Sequence, residues 1–384
     1  MDFGFTPEQD QLRRTIRAFA EAEIKPHVME WDEAQHFPTE ILRALGELGA
    51  LGAIFPEELG GSDLGYIDYS IIVEELARID PSVALGVAAH VSLATNHIYL
   101  HGSDEQRKQY LPKLASGEWI GCWSLTEPEA GSDAAGTRTT AELSDGEWTL
   151  NGSKTFTTNA HRADLCVAMA VTDHAESRPG ISAFVIEKGT EGFRPGRKEN
   201  KLGMRASDTG ELIFSNCRLP EDHLIGKRGE GFAGAMRVLD GGRVSIAALS
   251  VGIAQGAYEA ALSYSKQRKQ FGREISGFQA IRHKLADMAT EIEAARLVTL
   301  QAAWMLNQKR RVTQQSSIAK LFASEVAVRV ANEALQVHGG YGFIKDYPVE
   351  KFYRDVKLMT IGEGTSEIQR LIISRQILGE HGSL

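Results

Sequence analysis

The 384-residue sequence predicts an α+β protein in three consecutive parts. These are an all-helical N-terminal domain over residues 1–120, a middle antiparallel β domain over 121–232 and a C-terminal four-helix bundle over 233–384. Two changes of hydrophobic period predict this. Apolar residues recur at helical spacing as far as Leu114, alternate in strand fashion from about Gly121, and return to helical spacing from Ala233. The order helix, strand, helix, with no βαβ alternation, argues against a doubly wound nucleotide fold. At about 150 residues per domain, the length accommodates two or three domains packed as one unit.

In the first part Leu12, Ile16 and Phe19, then Ile41, Leu45 and Leu48, mark helical faces, broken at Phe37-Pro38 and at Leu59-Gly60-Gly61. In the middle part Trp148, Leu150 and an Asn151-Gly152 turn lie between a Thr/Ala-rich run and residues 154–158, which reads as a hairpin. Short β-rich runs at 165–171, 181–186 and 211–214, separated by Gly, Pro and Asp clusters, extend it into a small antiparallel barrel or sandwich. The last part carries long helical patterns at 243–267, 278–306 and 313–337 and a shorter one from about Ser366, the makings of a bundle.

Composition narrows the function. With 42% hydrophobic and 24% charged residues, the chain is that of a folded globular protein. Its net charge of −9 repels a phosphate backbone, so nucleic acid is not an expected partner. The three cysteines, Cys122, Cys166 and Cys217, form no CxxC pair, which argues against a disulfide framework or structural zinc and suits a cytoplasmic location. The N-terminus mixes Asp2, Glu8 and Asp10 with Arg13 and Arg14 and lacks the apolar stretch of a signal peptide. No run reaches the roughly 18 apolar residues of a membrane span.

Several motifs have bland readings. Gly229, Gly231 and Gly234 spell GxGxxG, but they follow Leu219-Pro220 and no acidic residue stands in 250–256 to hold a ribose, so a turn and helix start is expected. His97 and His101 are four apart but have no third ligand in sight, as on an ordinary helix face; no metal is expected. Residues 123–132, WSLTEPEAGS, gather hydroxyls and turn residues able to offer donors to a polar ligand. In 361–369, IGEGTSEIQ, Ser366 and Gln369 match a capping box, and Glu363 stands before that helix between two glycines. Glu363 is free either to approach a substrate or to serve as a dipole partner. Residues 266–273, KQRKQFGR, fit a solvated helix end or a pyrophosphate clamp. The glycines of 339–342 stop a helix or admit a flat ligand to the backbone.

Taken together and in order, the segments LTEPEAGSD (125–133), NGSK (151–154), RKQFG (268–272), QVHGGYG (336–342) and EGTSE (363–367) resemble the acyl-CoA dehydrogenase family over essentially the whole chain. The resemblance implies the same three-part fold and a homotetramer with FAD held partly across a subunit interface. It assigns Trp123, Leu125, Thr126, Gly131 and Ser132 to a loop wrapping the flavin. Phe156, Thr157 and Thr158 fall beside the flavin ring, with Phe156 where the family often has Trp. Arg268, Phe271, Gln279, Gln336, Val337, Gly339 and Gly340 correspond to the neighbouring subunit's contacts to the FAD diphosphate and adenosine, completed by Thr365, Ser366 and Glu367. Ser132, Asp240, Arg243 and Gly364 match substrate contacts, and Glu363 matches the catalytic base.

The chemistry so implied is removal of an α-proton by Glu363 as the β-hydrogen leaves as hydride to flavin N5, giving a trans-2-enoyl-CoA. The thioester oxygen must be stabilised meanwhile, in this family by the base's own amide and a ribityl hydroxyl. Electrons would then pass to an electron-transferring flavoprotein. Some relatives carry the base in the helix that here reads Asp240-Gly-Gly-Arg243, which holds no Glu. Gly362, where straight-chain enzymes commonly have Tyr, leaves room for a branched or bulky acyl group, and Leu249, where short-chain enzymes tend to have Gln, speaks against a strict butyryl pocket; a short or branched acyl group is the first expectation. An aromatic acyl-CoA substrate, an oxygen-using acyl-CoA oxidase and a catalytically silent scaffold are the alternatives.

Overall fold

The computed structural model describes residues 4–173 and 180–379, so Asp2 and the last five residues of the expected bundle lie outside the described residues. Seven helices come first: α1 (Pro7–Phe19), α2 (Val28–Ala34), α3 (Thr39–Glu47), α4 (Tyr66–Ile79), α5 (Pro81–Ala88), α6 (Asn96–His101) and α7 (Asp104–Ala115). Their starts are written locally: Thr6 with Gln9, and Ser103 with Gln106, each form a reciprocal capping box. Ile16, Ile41 and Leu45 are buried as their spacing requires, whereas Leu48 ends α3 and is exposed.

A π-helical stretch, Ala89–Thr95, joins α5 to α6 into one run, Pro81–His101, long and apolar enough by composition to cross a membrane. The sequence reading had no such run; here 89% of its most apolar window is buried inside the fold. Its polar residues are used internally. His90, kept neutral by burial that lowers its pKa to about 4, accepts from the Gly121 amide at 2.9 Å and pairs with the Leu114 carbonyl. That pins the first strand to the helical layer.

Eight strands follow: β1 (Gly121–Ser124), β2 (Thr140–Ser144), β3 (Glu147–Thr158), β4 (Leu165–Asp173), β5 (Gly180–Glu187), β6 (Phe193–Lys198), β7 (Thr209–Pro220) and β8 (Leu224–Ile225). They form one sheet of order β6-β7-β3-β2-β4-β5-β8, with β1 against β4. Most pairings are antiparallel as expected, but β1 and β2 each meet β4 in parallel. Residues 125–164, which contain the β2–β3 hairpin, supply the long crossover that a parallel pair needs. The alternation of β4 divides two cores. Cys166, Ala168 and Ala170 face an interior with Trp148, Phe184 and Leu219, while Leu165, Val167 and Met169 join the helical core.

The expected Asn151-Gly152 turn is not a turn. The hairpin reverses at Asp145-Gly146, both at positive φ (53° and 82°), as a two-residue type I′ loop demands. Asn151-Gly152 sits within β3 at a register shift, where Gly152 takes φ 147° and a Cβ would lie 2.5 Å from the Thr139 hydroxyl. The same dipeptide chemistry serves a bulge with close backbone approach.

The remainder is α8 (Gly231–Gln267), a short hairpin β9 (Lys269–Gln270) and β10 (Arg273–Glu274), then α9 (Gln279–Asn307), α10 (Thr313–His338), α11 (Val349–Asp355) and α12 (Ser366–Leu378). Helix α8 is packed by α4, α9 and α10 and is buried on most of its surface. The three regions are clasped by a buried ion cluster. Lys351 of α11 donates to Asp80 at 2.8 Å and Asp355 at 2.6 Å, and Asp355 also accepts from the Met204 amide at 2.5 Å. Burial alone would lower the Lys351 pKa, but the two carboxylates outweigh it and hold the ammonium above its ordinary range.

Candidate active site

Where α8, the Pro81–His101 run, the sheet and the segment before α12 meet, a cleft of about 1880 Å³ opens. Glu363 stands on its wall. The residue has φ 52° and the next, Gly364, φ 91°, two successive left-handed residues ahead of α12. Strain of this kind persists only where surroundings enforce it. Gln369, one turn into α12, donates to the carbonyls of Glu363 (3.1 Å) and Gly364 (3.0 Å), and Lys320 of α10 donates to the Gly364 carbonyl at 2.7 Å.

The expected capping box is therefore displaced. Thr365 is the N-cap, its hydroxyl accepting from the Ile368 amide at 3.3 Å; Ser366 is buried in the first turn, and Gln369 holds the strained turn instead. The extended Thr365 suits a cap, whereas Ser366 is already helical.

Oε2 of Glu363 is buried and has no hydrogen-bond partner among the described residues. Burial pushes its pKa up to about 7, with Lys320 and Arg243 partly opposing. The carboxylate reaches so close to α8 that a Cβ on Gly242 would collide with Oε2. The other nearby carboxylate is committed elsewhere: Asp240 accepts from Arg243 and from the Thr313 hydroxyl, each at 2.7 Å.

The loop after β1 is fixed by a buried pair. Lys154 donates to Glu127 at 2.6 Å, and Glu127 accepts from the Arg138 (2.7 Å) and Thr139 (3.0 Å) amides. Against the cost of burial, these keep the Glu127 carboxylate below its ordinary range. Ser124 and Thr157 share a 2.7 Å hydroxyl pair, so loop and β3 are joined. Trp123 donates through Nε1 to His97 Nδ1 at 3.0 Å; burial drops His97 to about 3, leaving it a neutral acceptor. His97 and His101 thus serve packing, and among the described residues no group of three His, Cys, Asp or Glu could hold a metal.

The cleft gathers Trp123, Leu125, Thr126, Gly131, Ser132, Phe156, Thr157, Thr158, Asp240, Arg243, Glu363, Gly364 and Thr365 from four separated stretches of sequence. Phe156 is a non-glycine residue at φ 55°, 65% exposed at the rim, and a side chain on Gly131 would meet nothing within 4 Å. Exposed aromatic surface, paired hydroxyls and open backbone fit a flat, polar-edged group such as a flavin. The other candidates are not brought there within this chain. Arg268, Phe271, Gln279, Gln336, Val337, Gly339 and Gly340 lie at the opposite end of the bundle, around the β9–β10 hairpin and the end of α10. Phe271 is 93% exposed. Glu367 points outward beside the cleft. Leu249 is fully buried in the helical core and does not line the cleft; Ile246, one turn earlier on α8, does.

The sequence pointed to Gln369 as a capping residue and held Gly242, Glu127 and Lys154 within longer motifs, without showing what each contacts. Lys320 was missed, although it is a charged residue among Ser316, Ala319, Ala323 and Ala327, on the face that α10 buries.

A helical layer, a sheet and a helical bundle meet at a cleft that holds one buried, unpartnered carboxylate oxygen, a site built to take a proton from a bound substrate. The comparisons with known proteins agree. The N-terminal, middle and C-terminal acyl-CoA dehydrogenase domains match residues 6–118, 122–217 and 229–378. The chain belongs to the acyl-CoA dehydrogenase family, whose members are flavoprotein oxidoreductases. It is 46% identical to a short-chain specific acyl-CoA dehydrogenase of Clostridium acetobutylicum over 98% of this chain and 100% of that one. Butyryl-CoA dehydrogenase from Megasphaera elsdenii superposes with a TM-score of 0.97 at 42% identity, covering 98% and 100% of the two chains. A glutaryl-CoA dehydrogenase from Mycobacterium smegmatis, solved in complex with FADH2, gives a TM-score of 0.93 at 30% identity over 99% and 97%.

Proposed function

We propose that this chain dehydrogenates the Cα–Cβ bond of a short- or branched-chain acyl-CoA to the trans-2-enoyl-CoA, with Glu363 as the base that takes the α-proton. The observation that carries this reading is the buried, unpartnered Oε2 held at the cleft by an enforced left-handed turn. A carboxylate near pKa 7 is well matched to abstract a proton at neutral pH. Because Asp240 is hydrogen-bonded twice, it is not the competing base.

Leu85, Ala89, Leu93, Leu239 and Ile246 offer an apolar wall to the acyl chain and exclude water from the carboxylate. Toward the mouth stand Arg237, Lys309, Arg310, Arg311 and Arg375, a cationic rim on a protein of net charge −9, suited to the phosphates of a CoA tail. The Glu363 amide is the donor assigned to the thioester oxygen, where enolate charge develops. FAD, when bound, supplies the acceptor for the β-hydrogen and its electron pair. Trp123 to Thr126, Gly131, Ser132 and Phe156 to Thr158 would hold its ring end. Thr365 to Glu367, at the same cleft, would add to that site, and Arg268, Phe271, Gln279 and Gln336 to Gly340 would complete it from a neighbouring copy in a homotetramer. Electron-transferring flavoprotein is the proposed acceptor of the electrons. Gly362 lines the cleft with its nearest neighbour, Leu358, 3.6 Å from where a Cβ would lie, which leaves room for branching.

The test is anaerobic: record the flavin absorption, then add butyryl-, isobutyryl-, isovaleryl-, octanoyl- and an aromatic acyl-CoA separately. Bleaching by a short or branched member is expected. In Glu363→Gln the bleaching rate is expected to fall by about 10³-fold or more with the bound flavin retained. Bleaching of that variant at the wild-type rate would overturn Glu363 as the base, and bleaching by the aromatic thioester alone would reassign the substrate. Rapid peroxide formation in air would favour an oxidase.

A further inference from the structure

We propose that Lys320 is a positioning residue for Glu363: its ammonium, buried on α10, grips the Gly364 carbonyl and so holds the left-handed turn that aims the carboxylate, while placing a positive charge behind it. The inference rests on the reading of Glu363 as the base.

Lys320 is completely buried, and its one hydrogen bond among the described residues is to the Gly364 oxygen at 2.7 Å. An isolated buried ammonium is costly, so a fold that retains one must gain from its charge or its reach. Lys351, by contrast, is neutralised by carboxylates in direct contact. Lys320 has no salt-bridged partner among the described residues, and the negative group that acts most on it is Glu363. Together with Gln369 it fastens the two carbonyls that flank the reactive side chain. Loss of either donor frees Glu363 and Gly364 to relax from their positive φ values.

The groups facing Glu363 are few. Arg243 approaches from α8, itself tied to Asp240; Lys320 comes from α10; the buried Tyr69 hydroxyl comes from α4. Around Lys320 the remaining charges are Arg243, Glu367 and Glu325. Burial lowers Lys320 to about 8, so it is mostly charged at pH 7, and that charge opposes the rise that burial imposes on Glu363. Removing it is expected to raise the base's apparent pKa further.

The experiment separates proton abstraction from electron transfer. A 3-thiaacyl-CoA has sulfur at the β position and no β-hydrogen to deliver, so exchange of its α-hydrogen for deuterium, followed by mass spectrometry, reports the base alone. The flavin-loaded wild type, Lys320→Met, Lys320→Gln and Glu363→Gln are compared between pH 5.5 and 9. Lys320→Met is expected to move the midpoint of the exchange profile up by about one pH unit and to lower the plateau at least tenfold. Lys320→Gln, a donor without charge, is expected to shift the midpoint similarly with a smaller loss of plateau. A folded Lys320→Met with the wild-type midpoint and plateau overturns the proposal. So does failure of both Lys320 variants to fold, which would make the side chain part of the core rather than of the site. If Glu363→Gln exchanges normally, the reading of the base itself fails; if it is inert while the Lys320 variants match wild type, only this inference fails.

Discussion

Lys351 and Lys320 are both buried lysines on the C-terminal helices, but their surroundings differ in kind. Lys351 sits between Asp80 and Asp355, with the Met204 amide closing the cluster, so residues from all three regions meet there and its charge is countered at contact distance. Lys320 touches only a backbone carbonyl and has no carboxylate at contact distance among the described residues, its charge being met through space, chiefly by Glu363. The first cluster has nothing left to do but hold; one member cannot be removed without stranding the others. The second has been left electrostatically unfinished, with Glu363 raised to about 7 and Lys320 lowered to about 8 by burial, and this is the condition in which a proton can move at neutral pH.

That contrast can be broken by mutation. Lys351→Met strands Asp80 and Asp355 together, and a loss of about 3–5 kcal/mol is expected in denaturant unfolding, while flavin reduction in the surviving folded protein keeps its pH midpoint. A shifted midpoint would mean that the two clusters communicate. Gly242→Ala pushes a methyl group into Oε2 of Glu363 and to within 2.9 Å of Leu93 Cδ2; a drop of about 10²-fold in the rate of flavin reduction is expected in folded protein that retains its flavin. Retained activity would show that the carboxylate works from another position.

The smallest expected effect concerns stability alone. The folded value of Glu363, about 7, lies above its ordinary 4.5, so the native state holds that proton more tightly than the unfolded chain. The deprotonated carboxylate therefore costs stability that appears as pH rises from about 4.5 and is fully present above about 7. Glu363→Gln is expected to melt about 2 °C above wild type at pH 8 and no higher at pH 4, by calorimetry at both values. A variant that melts lower at pH 8 would mean that the ionised carboxylate stabilises the fold.

Much of the fold was legible because it is written in local chemistry. Helix starts such as Thr6 with Gln9 are complete within four residues, and the period change near Gly121 marks where Cys122 and the residues after it enter a sheet. The misreadings are places where local chemistry has two uses. Asn151-Gly152 and Asp145-Gly146 are both turn dipeptides, and only pairing with Thr139 and β7 decides which one bulges and which one reverses. Ser366 and Thr365 are both good caps, and the choice follows from the clamped carbonyls ahead of them. Leu249 looked like a specificity position but belongs to the core, one turn beyond the lining Ile246.

By itself the sequence determined the order of helical and β regions, the long C-terminal helices and the family, because periodicity and a five-part motif set are short-range or strictly ordered along the chain. Only the tertiary structure decided that Oε2 of Glu363 lies bare against Gly242, that Lys320 and Gln369 hold its turn, and that Asp240 is already occupied. Those facts depend on burial and, for Lys320 with Gly364 and Gly242 with Glu363, on contacts between residues 44 and 121 positions apart; desolvation is a property of the assembled interior that no stretch of sequence carries alone.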